Sequence, residues 1–152
     1  MPCWLVGRCL TKLPRRGSFP AGPVERMSQP EPSLVLIADD HDDGRRMYAE
    51  YLAAMGFRVV EARDGEEAVK LARRIRPAIV VLDIQMPRLD GLSAIQRIRT
   101  DSANRDIPIL VVTASDDHHQ QALEAGASAA CLKHCLPEEL AKEIHRLLRR
   151  DR

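Results

Sequence analysis

Aromatic residues are scarce in this chain, which has one Trp, two Tyr and two Phe among 152 residues, or 3%. Hydrophobic residues nevertheless make up 45% of the sequence, so the core must be built from aliphatic side chains. No apolar run approaches the roughly 20 residues that a transmembrane helix needs. The length leaves room for one domain of ordinary size and little more.

The chain also lacks a strong charge of either sign, because 23 Lys and Arg stand against 22 Asp and Glu for a formal net charge of +1. This balance hides an asymmetry: residues 1–33 contain five basic and two acidic residues, and the remainder contains 18 basic and 20 acidic residues. Neither part has the concentrated positive charge of a nucleic-acid-binding protein. We therefore expect neither nucleic acid nor a membrane as a partner.

The four cysteines, Cys3, Cys9, Cys131 and Cys135, form no CxxC motif. Cys131, His134 and Cys135 lie close together in sequence, but their number and spacing are poor for zinc, so we do not expect a zinc site. Reduced thiols in a cytoplasmic protein are the simplest interpretation.

Residues 1–33 are rich in proline and arginine and show no sustained hydrophobic periodicity. This composition predicts a disordered N-terminal extension. Met27 is a plausible start for the folded part, so residues 1–26 are a candidate for an over-extended gene model. The folded domain is expected to cover residues 34–150.

From Leu34 onward, strand and helix signals alternate five times. Short apolar runs rich in β-branched residues predict strands, and segments with 3.6-residue periodicity predict helices between them. The predicted strands cover 34–38, 57–60, 78–83, 107–112 and 129–132. The predicted helices comprise one that ends before Gly56 and others at 66–76, 92–99, 116–125 and 137–149. The apolar stripe of the first predicted helix contains Met47, Tyr48, Tyr51, Leu52 and Met55. Five successive strand-helix units predict an α/β fold with a doubly wound parallel sheet and helices on both faces.

Several polar residues directly follow these predicted strands. In a parallel sheet all strands end at one edge, and ligands bind in the crevice outside that edge. The residues delivered there are Asp39 and Asp40 from the first strand, Asp83 from the third, Thr113 from the fourth and Lys133 from the fifth. By contrast, Asp42, Asp43, Asp64 and Asp116 are interpreted as helix caps or solvated residues, and His118 and His119 as solvated.

Three carboxylates at the same edge of the sheet repel each other, and a bound cation usually offsets this repulsion. Mg²⁺ fits best, since it takes oxygen ligands and combines one or two carboxylates with an incoming phosphate. A lysine and a hydroxyl beside the carboxylates are the groups that hold the other oxygens of a phosphoryl group in transfer. Asp83 lies centrally among them and is the natural nucleophile.

Together these motifs resemble the response regulator receiver domain of two-component signalling, from about residue 34 to residue 149. The matching residues are Asp39-Asp40, Asp83 within DIQMPRLDG, Thr113 within ILVVTAS, Gly126-Ala127 and Lys133. The resemblance implies a flavodoxin-like sheet of order 2-1-3-4-5. It also implies that Asp40, Asp83 and the carbonyl of Gln85 bind Mg²⁺ directly, with Asp39 acting largely through water. Thr113 would then bond a phosphoryl oxygen, and Lys133 would pair with the phosphate.

The function implied by this resemblance is that of a stand-alone response regulator. Asp83 would accept phosphate from a histidine kinase or a histidine phosphotransfer protein, and the output would be a contact with a downstream protein. No enzymatic activity is expected beyond self-catalysed phosphoryl transfer and autodephosphorylation. We expect a cytoplasmic monomer or weak dimer.

Three positions depart from the receiver pattern. His134 stands where receivers usually have a cis proline, Cys135 replaces the customary Phe, and Ala130 replaces the aromatic residue whose movement reports phosphorylation. These departures leave open a receiver-like binding module that works without phosphate. A Mg²⁺-dependent phosphohydrolase is a further alternative, although Gln85 stands where a second acid would be needed.

Overall fold

The computed structural model describes residues 31–133 and 135–150. The strands are β1 (Leu34–Ala38), β2 (Arg58–Ala62), β3 (Ile79–Asp83), β4 (Ile109–Thr113) and β5 (Ala129–Leu132). The helices are α1 (Asp42–Ala54), α2 (Gly65–Ile75), α3 (Gly91–Thr100), α4 (Asp116–Ala125) and α5 (Pro137–Arg150). Among the helices in this part of the chain, none is long and apolar enough to cross a bilayer. The prediction of a disordered extension falls largely on residues 1–30, outside the described residues.

All five strands are parallel and lie in the order β2-β1-β3-β4-β5. The flavodoxin-like order expected from the resemblance is therefore confirmed. The register pairs Asp83 with Val112 and Thr113 with Leu132, so β3, β4 and β5 end close to one level. The residues that follow these strands consequently share one edge of the sheet.

Two hydrophobic cores lie on opposite faces of the sheet because alternate strand residues point to opposite sides. On one face, side chains such as Leu36 and Leu82 pack with residues from α2, α3 and α4. On the other, Ile37 and Val81 pack with residues from α1 and α5. All the buried members are aliphatic apart from Tyr48 and Phe57, as the scarcity of aromatic residues requires.

The inner stripe of α1 contains Tyr48 and Leu52, as predicted, but not the two methionines. Met47 is 47% exposed and Met55 is 51% exposed, and Met55 lies beyond the last helical residue. The buried residues are Arg45, Tyr48, Ala49 and Leu52. These positions follow the i, i+3, i+4, i+7 spacing of one helical face, from which Met47 is displaced by about 100°. The stripe therefore begins with an arginine that the apolar pattern did not include.

Other boundaries differ from the prediction by one or two residues. β2 extends to Ala62 through the exposed Glu61, because an edge strand leaves one side open to solvent. β4 begins only at Ile109, after Pro108, whose missing N–H cannot join the ladder.

The aspartates predicted as caps divide into two groups. Asp64 is the N-cap of α2, and its side chain accepts a hydrogen bond from the backbone N–H of Glu67 at 2.9 Å. Asp42, Asp43 and Asp116 lie within the first turns of α1 and α4. There they complement the positive end of the helix dipole.

Candidate functional site

The carboxyl ends of the strands bring a lysine and two buried carboxylates into contact. Asp39 directly follows β1, Asp83 ends β3 and Lys133 directly follows β5. The Lys133 ammonium nitrogen, Nζ, lies 2.7 Å from Oδ2 of Asp83 and 3.3 Å from Oδ2 of Asp39. The backbone N–H of Lys133 also donates to the carbonyl of Thr113 at 2.7 Å, which extends the β4-β5 pairing up to the lysine.

A third carboxylate, Asp40, completes what we call the acidic cluster (Asp39, Asp40 and Asp83). One side-chain atom from each of these residues and one from His41 lie within 4.8 Å of one another. Asp83 is only 3% exposed, whereas Asp40 and His41 lie at the surface. The cluster therefore combines two buried carboxylates, Asp39 and Asp83, with one that solvent can reach, Asp40.

His41 is a member of this site that the sequence analysis missed. Its Nδ1 lies 2.8 Å from Oδ1 of Asp40 and 3.4 Å from Oδ1 of Asp39. Its backbone N–H donates to Oδ1 of Asp39 at 2.8 Å. The available signal was its position among four aspartates in Asp39-Asp-His-Asp-Asp43.

The pKa of the Asp83 carboxyl is raised, mainly because the group is buried. The hydrogen bond and the positive charge of Lys133 lower this pKa and partly offset the effect of burial. Burial acts in the other direction on Lys133, but the hydrogen bond and charge of Asp83, with the charge of Asp39, raise its pKa overall. The lysine is therefore held in its charged form. One ammonium faces three carboxylates, so the site retains an excess of negative groups.

This donor set fits a hard divalent cation. Carboxylate oxygens are the ligands that Mg²⁺ prefers, and the surplus of negative groups favours a cation over an anion. Gln85 lies beside the cluster, with its backbone N–H 3.4 Å from Oδ1 of Asp83. A cavity of about 370 Å³ opens over Asp39, Gln85 and Lys133, which leaves room for a ligand at the edge of the sheet. A larger cavity, of about 700 Å³, lies at the carboxyl end of β2, where basic side chains such as Arg45 and Arg88 mix with acidic ones such as Glu61.

Gly91 fixes the loop that follows Asp83. Its N–H donates to the carbonyl of Ile84 at 2.8 Å, which folds the loop back onto the end of β3. A Cβ atom at this position would lie 2.2 Å from the carbonyl oxygen of Asp83. Only glycine allows this close approach of two backbone segments.

Thr113 is almost fully buried at the end of β4. Its Oγ1 accepts a long hydrogen bond from the N–H of Ser115 at 3.3 Å and lies 3.5 Å from Nδ1 of His118. His118 and His119 are half-buried, contrary to the expectation that both are solvated. The threonine hydroxyl thus links the site edge to the first turns of α4.

Arg45 is a buried arginine that hydrogen-bonds the backbone of the acidic cluster at Asp39, and it was not predicted as part of the site. Nη1 of Arg45 donates to the backbone carbonyl of Asp39 at 2.8 Å, and Nε donates to Glu61 at 2.9 Å. Nη2 donates to Asp42 at 2.5 Å. An arginine in an amphipathic helix is normally expected at the surface. The signal that could have found it is its i, i+3 and i, i+4 relation to Tyr48 and Ala49.

The segment around Lys133 is held by contacts from α1. The Tyr48 hydroxyl lies 3.3 Å from the carbonyl of Lys133 and 3.4 Å from that of Cys135. Ala130 is half-buried and packs against the core of α2, α3 and α4. His134 lies outside the described residues, so the cis or trans state of the Lys133–His134 peptide bond is not described either.

Comparison with known families gives one match that covers most of the chain. The family profile described as the response regulator receiver domain matches residues 35–145. A probable transcriptional regulator, ycf27, of Porphyridium aerugineum is 39% identical over 118 residues, which are 76% of this chain and 48% of the relative. The chain thus spans about half the length of the curated relatives it matches.

Solved structures of receiver domains and response regulators also match this chain, and two of them match over almost their whole length. A chemotaxis response regulator of Vibrio cholerae is 30% identical with a TM-score of 0.73, and the match covers 76% of this chain and 98% of that one. The receiver domain of a sensor histidine kinase from Pseudomonas aeruginosa PAO1 is 28% identical with a TM-score of 0.73, covering 77% of this chain and 98% of that one. The structure of the latter contains a magnesium ion coordinated in its active site cleft.

Proposed function

This chain belongs to the response regulator receiver domain family, and on that premise we propose that it accepts a phosphoryl group on Asp83 in a Mg²⁺-dependent reaction. The observation that carries the proposal is the 2.7 Å contact between Lys133 and Asp83 within a group of three carboxylates. A buried carboxylate paired with one ammonium has the nucleophile and the charge partner that phosphoryl transfer requires.

In the proposed reaction, a carboxylate oxygen of Asp83 attacks the phosphorus of a phosphohistidine. The new O–P bond forms as the P–N bond breaks, and the imidazole nitrogen of the donor keeps the electron pair. Lys133 shifts from its ion pair with Asp83 to a phosphoryl oxygen, while the Thr113 hydroxyl donates to another. A Mg²⁺ ion held by Asp40, Asp83 and the carbonyl of Gln85, with Asp39 acting through water, would offset the negative charge of the phosphate.

We further propose that phosphorylation changes the protein's contacts with a partner. The hydroxyl of Thr113 is held only by long contacts, to Ser115 at 3.3 Å and to His118 at 3.5 Å. A phosphate on Asp83 would draw this hydroxyl away and release the N–H of Ser115, the N-cap residue of α4. The equilibrium between arrangements of the β4-α4 segment would therefore shift, with a stand-alone response regulator as the resulting function.

The donor in this proposal is a histidine kinase or a histidine phosphotransfer protein, and the setting is the cytoplasm. One solved relative is the receiver domain of a sensor histidine kinase, which supports a phosphohistidine donor. The downstream target is a protein surface of unknown identity.

The direct test is labelling of the full chain by acetyl phosphate and by a phosphorylated histidine kinase, with Mg²⁺ or with EDTA. The wild-type protein should label only with Mg²⁺, and Asp83→Asn should not label at all. Asp43→Asn is the matched control because Asp43 is an exposed carboxylate in the first turn of α1, and it should label like the wild type. An Asp83→Asn protein that labels at the wild-type rate would refute the assignment.

A second candidate function, a binding module that is indifferent to phosphate, is favoured by Ala130. This half-buried methyl group stands where receivers carry the aromatic residue that reports phosphorylation. Hydrogen exchange of the wild-type protein with and without phosphorylation separates the two functions. Altered exchange in α4 and β5 supports the switch, whereas unchanged exchange despite full labelling supports the binding module.

A further inference from the structure

Two thiols flank Lys133 and lie almost in contact. Cys131 belongs to β5 and Cys135 lies two residues beyond the lysine, and their sulfur atoms are 3.8 Å apart. Both residues are half-buried and both thiols are free. The proposed phosphoryl-transfer chemistry uses neither of them.

We propose that Cys131 and Cys135 are a redox site, which a hydroperoxide converts into an intramolecular disulfide across the segment that carries Lys133. The separation of the sulfur atoms must shorten by about 1.8 Å to reach the length of a disulfide bond. Cys131 is held in the sheet by pairing with Val112. Cys135 lies in a turn, where its backbone N–H donates to the carbonyl of Leu132 at 3.0 Å. We therefore expect Cys135, rather than Cys131, to move when the bond forms.

The two thiols are unequal, which assigns their roles. The hydrogen bond from Cys131 lowers the pKa of Cys135 to about 7, with burial opposing this and the Tyr48 hydroxyl adding to it. The same contact, together with burial, raises the pKa of Cys131. Because Cys135 lies in the turn beyond the sheet while Cys131 is paired with Val112 in β5, we assign Cys135, whose pKa is lowered, as the thiolate that reacts first and Cys131 as the thiol that completes the disulfide.

The reaction balances with one peroxide for each disulfide. The Cys135 thiolate attacks a peroxide oxygen, the O–O bond breaks, and the product is a sulfenic acid with hydroxide, or an alcohol when an alkyl hydroperoxide reacts. The Cys131 sulfur then attacks the sulfenic sulfur, the S–O bond breaks, and water leaves with the proton of the Cys131 thiol. Two thiols are oxidised and one peroxide is reduced, and a dithiol reductant reverses the change.

Disulfide formation would restrain the residue that pairs with Asp83. The Tyr48 hydroxyl contacts the carbonyls of both Lys133 and Cys135, so a movement of Cys135 is transmitted to the lysine backbone. An altered Lys133 would hold the phosphoryl oxygen less well. This consequence rests on the proposed function, whereas formation of the disulfide does not.

The sequence offers a clean assay for the disulfide. Trypsin cleaves after Arg105, Lys133 and Lys142, so the two cysteines fall in separate peptides, 106–133 and 134–142. We would use the full chain carrying Cys3→Ser and Cys9→Ser, treat it with hydrogen peroxide, block free thiols by alkylation and digest it. The expected product is a joined pair of these two peptides, lighter than their sum by two hydrogen atoms and separated by dithiothreitol.

The controls are Cys131→Ser and Cys135→Ser in the same background. Neither should give the joined pair, and Cys135→Ser should also resist peroxide, because it lacks the reactive thiolate. Alkylation of both cysteines after peroxide treatment, or a joined pair found only in covalent dimers, would overturn the proposal.

Two readouts test the consequence of oxidation. Amide exchange over residues 129–136 should slow on oxidation, and this measurement needs no phosphoryl transfer. The rate of labelling by acetyl phosphate should fall by at least about tenfold, since losing one donor to a transition-state oxygen costs roughly a hundredfold or more. Unchanged exchange and labelling in a protein with the disulfide would overturn the coupling to Lys133, whereas a reduced protein that does not label refutes the proposed function alone.

Discussion

At the scale of single residues, the site depends on charged groups that the fold buries. The positions of Asp39, Asp83, Thr113 and Lys133 at the sheet edge could be predicted, because each directly follows or ends an apolar run and parallel strands end together. The helical spacing of Arg45 with Tyr48 and Ala49 indicates the face on which it lies, but the ion pair that allows its burial could not be predicted. Its partner Glu61 lies 16 residues away, and long-range pairing of this kind leaves no periodic signal in the sequence.

We expect Arg45→Met to lower the free energy of unfolding by about 2 kcal/mol, because it removes hydrogen bonds to charged groups and leaves the Asp39 carbonyl without its partner. Arg45 is only 5% exposed, so water cannot readily replace the guanidinium. Urea denaturation followed by far-UV circular dichroism gives the measurement.

The adjacent Arg46 provides the control for this prediction, since it lies in the same helix but is exposed. Arg46→Met should change the free energy of unfolding by less than about 0.5 kcal/mol. Equal losses in the two variants would contradict the buried role of Arg45.

At the scale of elements, the loop between β3 and α3 sets the position of Asp83. Asp90 is the N-cap of α3 and Gly91 is its first residue, and the reason for the glycine is visible only in three dimensions. A Cβ atom added to Gly91 would lie 2.2 Å from the Asp83 carbonyl oxygen. On the inner face of α1, the apolar pattern correctly placed Tyr48 and Leu52. It was wrong for Met47 and Met55, which are exposed, and it did not include the buried Arg45.

Gly91→Ala should therefore destabilise the protein by about 3 kcal/mol or more, because backbone atoms must move to admit the methyl group. It should also slow phosphorylation of whatever protein remains folded, since the glycine packs directly against the carbonyl of Asp83. Thermal unfolding and labelling by acetyl phosphate measure the two effects.

Gly44→Ala is the matched substitution, because Gly44 is a helical glycine whose added Cβ would meet only Oδ2 of Asp39 at 3.8 Å. Replacing glycine by alanine within a helix typically stabilises by about 0.5 to 1 kcal/mol. A Gly91→Ala protein as stable as Gly44→Ala would show that the loop does not need its close backbone approach.

At the scale of the whole molecule, five repeated strand-helix units place two cores on the faces of one sheet and leave the acidic cluster at its edge. This architecture follows from periodicity and from the handedness of parallel crossovers, and for that reason the sequence predicted it well. Details that depend on which side chains meet, such as His41 beside Asp40 or the contact between the two thiols, required the structure.

Binding of Mg²⁺ should stabilise the whole domain, since the ion would bind a cluster that exists only when β1 and β3 are paired. At a concentration one hundred times its dissociation constant, a ligand that binds only the folded state adds about 2.7 kcal/mol to the free energy of unfolding. Thermal unfolding with and without MgCl₂ measures this shift. Asp40→Asn should lose most of it while retaining the stability of the metal-free protein, because Asp40 is exposed. An equal shift in both proteins would show that Mg²⁺ binds elsewhere.

The most direct test of phosphoryl acceptance on Asp83 is to locate the phosphoryl group in the chain. After phosphorylation with Mg²⁺, borohydride reduction converts an aspartyl phosphate into homoserine, and the tryptic peptide that contains Asp83 can be sequenced by mass spectrometry. The expected result is homoserine at position 83 alone, absent when Mg²⁺ is withheld. Homoserine at position 39 or 40, or an unmodified Asp83 in protein that carries phosphate, would contradict it.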